Sequence, residues 1–155
     1  MFHEYEKILV PIDGSKEAKL AFDKAIEVAK RNHAKLLLSH VIDTRSLQTP
    51  TGFEGNFSDE IRKQAENLFA EYVDYAKSHN FTDVETVLEY GSPKVVISKQ
   101  LTKDYGIDLI MMGATGLNAV ARLFIGSVSE YVIRNASCDV LVVRTVLENK
   151  RPLSF

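Results

Sequence analysis

The chain has 155 residues, 45% of them hydrophobic and 26% charged, with a formal net charge of -2. A globular domain of this size buries roughly 70% of the surface its extended chain would expose, so one real core is available and global disorder is disfavoured. The near-neutral balance supplies no broad basic face, which argues against non-specific nucleic-acid binding.

The N-terminal stretch Met1-Phe-His-Glu-Tyr-Glu-Lys7 carries no long apolar segment. No run approaches the ~20 apolar residues that cross a bilayer, and a cytoplasmic protein with no membrane partner is expected. Cys138 is the only cysteine, so it forms no internal disulfide and completes no structural zinc site. Its place just before Asp139-Val-Leu-Val-Val143 predicts a buried, unreactive thiol.

Lys7-Ile-Leu-Val-Pro-Ile12 reads as the first strand, with Pro11 near its end where a missing donor is tolerated. Asp13-Gly14-Ser15 makes the turn, and Ala18, Phe22, Ala25, Ile26 and Ala29 recur at helical spacing over residues 16 to 31. The run from Lys35 to Ile42 is a second strand, apolar enough to be covered on both faces, which implies a right-handed βαβ unit. Residues 43 to 57 have no periodicity and read as an exposed loop, with a helix starting near Ser58-Asp59-Glu60 and running toward Ser78.

Thr82 to Tyr90 reads as a third strand, with Val84, Thr86 and Leu88 on one side and Val87 on the other. Ser92-Pro93 opens a third helix whose inward face includes Val96 and Leu101. Ile107 to Met112 forms a fourth strand, Ser127 and Glu130 have capping-box spacing ahead of a helix through Asn135, and Val140 to Val143 forms a fifth strand. The βα alternation argues for a single doubly wound α/β domain over residues 1–155, without a tandem repeat. The tail from Leu147 to Phe155 has no periodicity.

In an open α/β sheet a ligand lies beyond the carboxyl ends of the strands, near the point where strand order reverses. Asp13-Gly14-Ser15, Val41, Gly113-Ala-Thr-Gly116 and Gly126-Ser127 all arrive at that edge. Small residues there allow close backbone approach, and a helix starting at Ser127 offers free N–H groups to an anion. A nucleotide could span these features, its base on Val41, its phosphate on the backbone at 126–128, and Asp13 at a ribose hydroxyl or a hydrated metal ion. The same residues also have plain structural uses as a turn, as loop glycines and as a helix cap. Arg122 could reach a phosphate or stand as a solvated loop arginine.

Other chemistry is thin. There is no GxxxxGK[ST], and the first strand is followed by Pro11-Ile-Asp-Gly-Ser15 instead of GxGxxG, so a P-loop hydrolase and a dinucleotide dehydrogenase are poor readings. His3, His33, His40 and His79 share no metal-ligand spacing, and His40, after a run of leucines, reads as structural. Ser15 and Ser127 have no evident Asp–His partners.

The chain resembles the nucleotide-binding branch of the universal stress protein family. Lys7-Ile-Leu-Val-Pro-Ile-Asp-Gly-Ser15, the GxxG-x9-G[ST] signature as Gly113-Ala-Thr-Gly116 to Gly126-Ser127, and Val140-Leu-Val-Val143 carry the likeness. The resemblance implies a five-stranded parallel sheet of order 3-2-1-4-5 with helices on both faces, and a homodimer. It further implies ATP, with Mg2+ or Mn2+ bound mainly through the phosphates. Pro11 and Asp13 would lie by the nucleotide and Val41 against the adenine. Gly113 and Gly116 would line ribose and phosphates, while Gly126, Ser127 and Val128 would hold the phosphate, with Arg122 as a further candidate.

The leading expectation is an ATP-binding regulatory or stress-response protein whose output is a binding state. With no placed general base, hydrolysis would be slow or negligible, and no catalytic or metal-ligating residue is assigned. A slow ATPase or phosphotransferase using Asp13, and a nucleotide-free interaction module, are the alternatives. Strand residues 139–144 would sit at a sheet edge, apolar through the centre and without a proline, and pairing with a second copy there would join the homodimer.

Overall fold

Alternation along five strands divides the apolar residues between two faces, and the helices follow. In the computed structural model, which describes residues 4–47, 55–114 and 125–144, the strands are β1 (Lys7–Pro11), β2 (Lys35–Asp43), β3 (Val84–Gly91), β4 (Leu109–Gly113) and β5 (Asp139–Val143). They form one parallel sheet of order β3-β2-β1-β4-β5. The helices are α1 (Lys16–Asn32), α2 (Gly55–Ser78), α3 (residues 93–105) and α4 (Ser127–Asn135). The single doubly wound domain and the strand order both match expectation.

Ile8, Val10, Leu36, Leu38, Leu109 and Met111 point to one side of the sheet and pack with Phe22, Ile26, Phe69 and Tyr72 of α1 and α2. Leu9, Leu37, Ile110 and Met112 point to the other and pack with Val96, Ile97 and Leu101 of α3 and Val132 of α4. Each layer is a dry core on a two-sided parallel sheet, which is why β1 and β2 read as near-continuous apolar runs. Val96 and Leu101 are buried as the helical pattern predicts.

Helix starts are where local signals and structure diverge. Ser15 caps α1 as a serine should, its Oγ accepting from Ala18 N at 3.1 Å. Ser92 precedes Pro93 as expected, but its carbonyl, not its hydroxyl, meets the first amides, at 3.1 Å from Val95 N and 2.9 Å from Val96 N. Ser127 does not cap α4. Gly126 occupies that position, extended at φ −61° and ψ 159°, and its carbonyl accepts from Glu130 N at 2.9 Å. With the helix begun one residue earlier, the Glu130 carboxylate turns forward to Arg134 at 2.9 Å rather than back to close a capping box.

Part of the expected 43–57 loop is regular structure at the described residues on either end, while 48–54 lie outside the described residues. β2 runs to Asp43, a 3-10 turn covers Thr44–Leu47, and α2 already begins at Gly55, ahead of Ser58. The turn of helix before Ser58 is set by the long helix it extends, not by capping preference. The C-terminal tail lies outside the described residues.

A candidate nucleotide site at the strand switch point

β1 is paired with β2 along its whole length, Lys7 to Pro11, but with β4 only at Ile8–Leu109 and Leu9–Ile110. The cause lies in the sequence. Ile12 N donates to Ser39 O of β2 at 2.7 Å, so the preceding residue, Pro11, turns its nitrogen toward β4 with no hydrogen to give. β1 and β4 part there, at the point where the chain order reverses, and a crevice opens beyond their carboxyl ends.

A cavity of about 200 Å³ occupies that crevice. Pro11, Ile12 and Asp13 line it from the end of β1, Ser39 and Val41 from β2, and Met112 and Gly113 from β4. Ser15, Glu17 and Ala18 of the α1 start, Pro93 and Ile97 of α3, and Val128 and Ser129 of α4 complete the wall. The amino ends of three helices thus meet at one rim; those of α1 and α4 carry backbone N–H groups that a helix start leaves unused, whereas at α3 Pro93 has none and Val95 N and Val96 N donate to Ser92 O. The lining is mostly apolar, with Val41, Ile97 and Met112 among its residues.

Local contacts hold the pieces in place. Asp13 Oδ1 accepts from Ser15 N at 2.9 Å, an Asx turn that carries the chain from β1 into α1. His40 Nδ1 donates to Ile12 O at 2.8 Å, tying β2 to the end of β1, so this histidine has the structural role its leucine-rich setting suggests. Ser129 Oγ donates to Gly113 O at 3.1 Å and fastens the first turn of α4 to β4. Gly113 itself has a steric reason to lack a side chain: a Cβ there would lie 2.5 Å from the backbone oxygen of Glu17. Only glycine lets α1 approach β4 this closely.

α3 carries an irregularity next to the cavity. Its helical turns Pro93–Val95 and Leu101–Tyr105 are joined by a π-helical stretch, Val96–Gln100. Ser98 Oγ donates to Lys94 O at 2.6 Å and Thr102 Oγ1 donates to Ser98 O at 3.0 Å, so hydroxyls occupy carbonyls along the widened turn. The extra residue brings Val96, Ile97 and Ser98 all to the buried side, and Ile97 to the cavity.

Of the candidate residues, Pro11, Asp13, Val41, Gly113 and Val128 are brought together on one cavity, and Gly126 and Ser127 directly precede Val128 at the α4 start. Gly116 and Arg122 lie outside the described residues. Sequence reasoning passed over Ser39, Glu17, Ile97 and Ser129, which line the same wall. For Ser39 a signal existed, a hydroxyl inside Leu36-Leu37-Leu38 and Val41. Ile97 had none, because its position depends on the π turn. Cys138 is half-buried and lies away from the cavity, and burial pushes its thiol up from the ordinary range, with Asp139 and Asp108 adding to the shift.

The universal stress protein family profile matches residues 4–144 of the chain. A Staphylococcus haemolyticus protein named for that family is 49% identical over 141 residues, which is 91% of this chain and 86% of the relative. A Staphylococcus aureus protein named in the same way is 48% identical over 141 residues, 91% of this chain and 85% of the relative. Among solved structures, the universal stress protein UspA of Lactobacillus plantarum superposes with a TM-score of 0.79 at 32% identity, over 92% of this chain and all of its own length. A universal stress protein crystallised in complex with cAMP superposes at 0.70 with 28% identity, over 92% of this chain and 98% of its own. With the fold, the strand order and nearly the full length in agreement, the chain belongs to the universal stress protein family.

Proposed function

We propose that this protein binds ATP in the crevice between β1 and β4 and acts in the cytoplasm as a regulatory or stress-response protein whose output is its nucleotide-bound state. The observation that carries the reading is the cavity: a mostly apolar lining that includes Val41 and Met112, with three helix amino ends at its rim. An apolar lining suits a heterocyclic base, and free backbone donors suit phosphate. A cavity of about 200 Å³ is smaller than the ~300 Å³ at which drug-sized pockets begin, so base and sugar would fill it and the phosphates would extend past its rim at α4. The cAMP complex of a related protein supports a nucleotide over other anions.

Within this reading, Val41 and Pro11 contact the base, and Asp13 meets a ribose hydroxyl or a hydrated cation. Gly113 lines the sugar, and the Gly126-Ser127-Val128 backbone holds phosphate, with Gly116 and Arg122 as further phosphate contacts. Mg2+ or Mn2+ would be held mainly by the phosphates themselves. Among the described residues, the titratable groups on the cavity wall are Asp13 and Glu17. Neither is paired with a histidine or lysine there, which favours slow or negligible hydrolysis over an enzyme.

Three experiments test this. Native mass spectrometry of gently purified protein should show ATP retained in stoichiometric amount, and a nucleotide-free chain would favour an interaction module instead. Calorimetry should give a submicromolar to tens-of-micromolar Kd that is lost in a folded Gly126→Val variant, whose extended backbone valine adopts freely while its side chain blocks phosphate. Unchanged binding in that variant removes the phosphate site from α4. ATP turnover at many per second, abolished by Asp13→Asn, would overturn the binding-state reading in favour of an enzyme.

A further inference from the structure

Ser39 is fully buried, at 0% exposure, and its Oγ has no hydrogen-bond partner. It is the one buried side-chain polar atom among the described residues in that condition. Buried hydroxyls are normally satisfied, so an orphan asks for a partner that the described residues do not supply. The side chain lies on the cavity side of β2. On β2, Leu36 and Leu38 belong to the α1–α2 layer, so Ser39 and Val41 turn to the opposite side, where both line the cavity. Pro11 is its register partner on β1, and of the residues that share the cavity wall with it, Asp13, Ser15, Glu17 and Ser129 carry polar side chains, none of which is hydrogen-bonded to Ser39 Oγ.

Position decides which part of a ligand would meet it. β1 lies between β2 and β4, so Ser39 is two strand spacings, about 10 Å, from β4. The α4 start is fastened to β4 through Ser129 Oγ and Gly113 O at 3.1 Å. A nucleotide with its phosphate at α4 therefore has its base, not its phosphate, over Ser39. We propose that Ser39 Oγ donates a hydrogen bond to a ring nitrogen of the bound purine, making it a base-reading position on β2. This rests on the nucleotide reading above and adds the residue that distinguishes a base with a correctly placed acceptor from one without. A buried hydroxyl discriminates well, because a ligand lacking the acceptor leaves it unsatisfied.

The test is calorimetry of wild type and Ser39→Ala with ATP and with its 1-deaza, 3-deaza and 7-deaza analogues, alongside urea unfolding of both proteins without ligand. Ser39→Ala should weaken ATP about tenfold. One analogue should bind wild type about tenfold more weakly than ATP, yet bind Ser39→Ala as ATP does, since the lost acceptor and the lost donor are the same hydrogen bond. Without ligand, Ser39→Ala should be at least as stable as wild type, because only an unsatisfied group is removed. Wild-type ATP affinity in Ser39→Ala overturns the proposal and leaves the nucleotide site standing. A loss that no analogue reproduces, or a ligand-free variant that unfolds more readily, also overturns it. Absence of ATP binding by wild type removes both readings together.

Discussion

Two serines and a glycine show how single residues set this site. Ser15 and Ser127 both stand at helix starts beside the crevice, but only Ser15 has its hydroxyl on a helix amide. Ser15→Ala should therefore lower stability by ~1 kcal/mol in urea denaturation, whereas Ser127→Ala should change it by less than ~0.5 kcal/mol. Equal losses would restore Ser127 to the cap. Gly113 is needed for the approach of Glu17, so Gly113→Ala should cost ~1–3 kcal/mol as α1 is pushed off β4. A variant as stable as wild type would mean that α1 and β4 are not held this close. That Asp13 and Val41 would meet at one crevice was legible in the sequence, because strand ends converge at the switch point of this fold class. Ser39 was harder to see, since what singles it out is the face of β2 it occupies and a hydroxyl with no partner among the described residues.

At the scale of elements, the contact between α1 and α2 has a pH signature. The rings of Phe22 and Tyr72 lie 4.9 Å apart, and Lys19 sits over the Tyr75 ring while pairing with Asp23 at 3.0 Å. Burial first, then the negative charges of Asp13, Asp23 and Glu71, push the Tyr72 phenol up to about 12. Burial first, then the hydrogen bond and charge of Asp23, push Tyr75 up to about 12 as well. Between the ordinary tyrosine value of 10.0 and about 12 the folded chain holds more protons than the unfolded one. This stabilisation is fully present below pH 10 and is lost as pH rises toward 12. Stability should fall across that window in wild type and fall less steeply in Tyr72→Phe, read as urea midpoints at successive pH values. Parallel curves for the two proteins would contradict the assignment. Helices α1 and α2 were legible through their apolar period, and so was the Ser92-Pro93 start of α3. The π turn in α3 was not, because the serine and threonine bonds that accommodate it look in sequence like ordinary helix-surface polarity.

For the whole molecule, the strand order leaves β5 at an edge, where Leu141 is 40% exposed and Ile133 of the neighbouring α4 is 44% exposed. An apolar edge of this kind invites pairing with a second copy, and a homodimer through residues 139–144 remains our proposal for it. Val142 packs against the α3–α4 layer, so Leu141→Lys is the cleaner probe, placing a charge on the exposed side without opening that core. Sedimentation at micromolar concentration should show a dimer for wild type and a shift toward monomer for Leu141→Lys. A single species near the chain mass of 17.4 kDa for wild type would rule the dimer out. The sheet order, by contrast, could be anticipated only through the family likeness, since βα alternation alone fixes parallel strands but not which neighbours they choose.

We propose that a nucleotide sits in the crevice opened where Pro11 ends the pairing of β1 with β4. Amide chemical-shift mapping during an ATP titration tests it most directly, because it reports binding and location together. Saturable shifts should be largest at Asp13, Val41, Gly113 and residues 126–128, and small at Lys7, Lys35 and Glu85, which line a minor pocket elsewhere on the chain. No saturable shift up to millimolar ATP, or shifts concentrated at Lys7, Lys35 and Glu85, would contradict it.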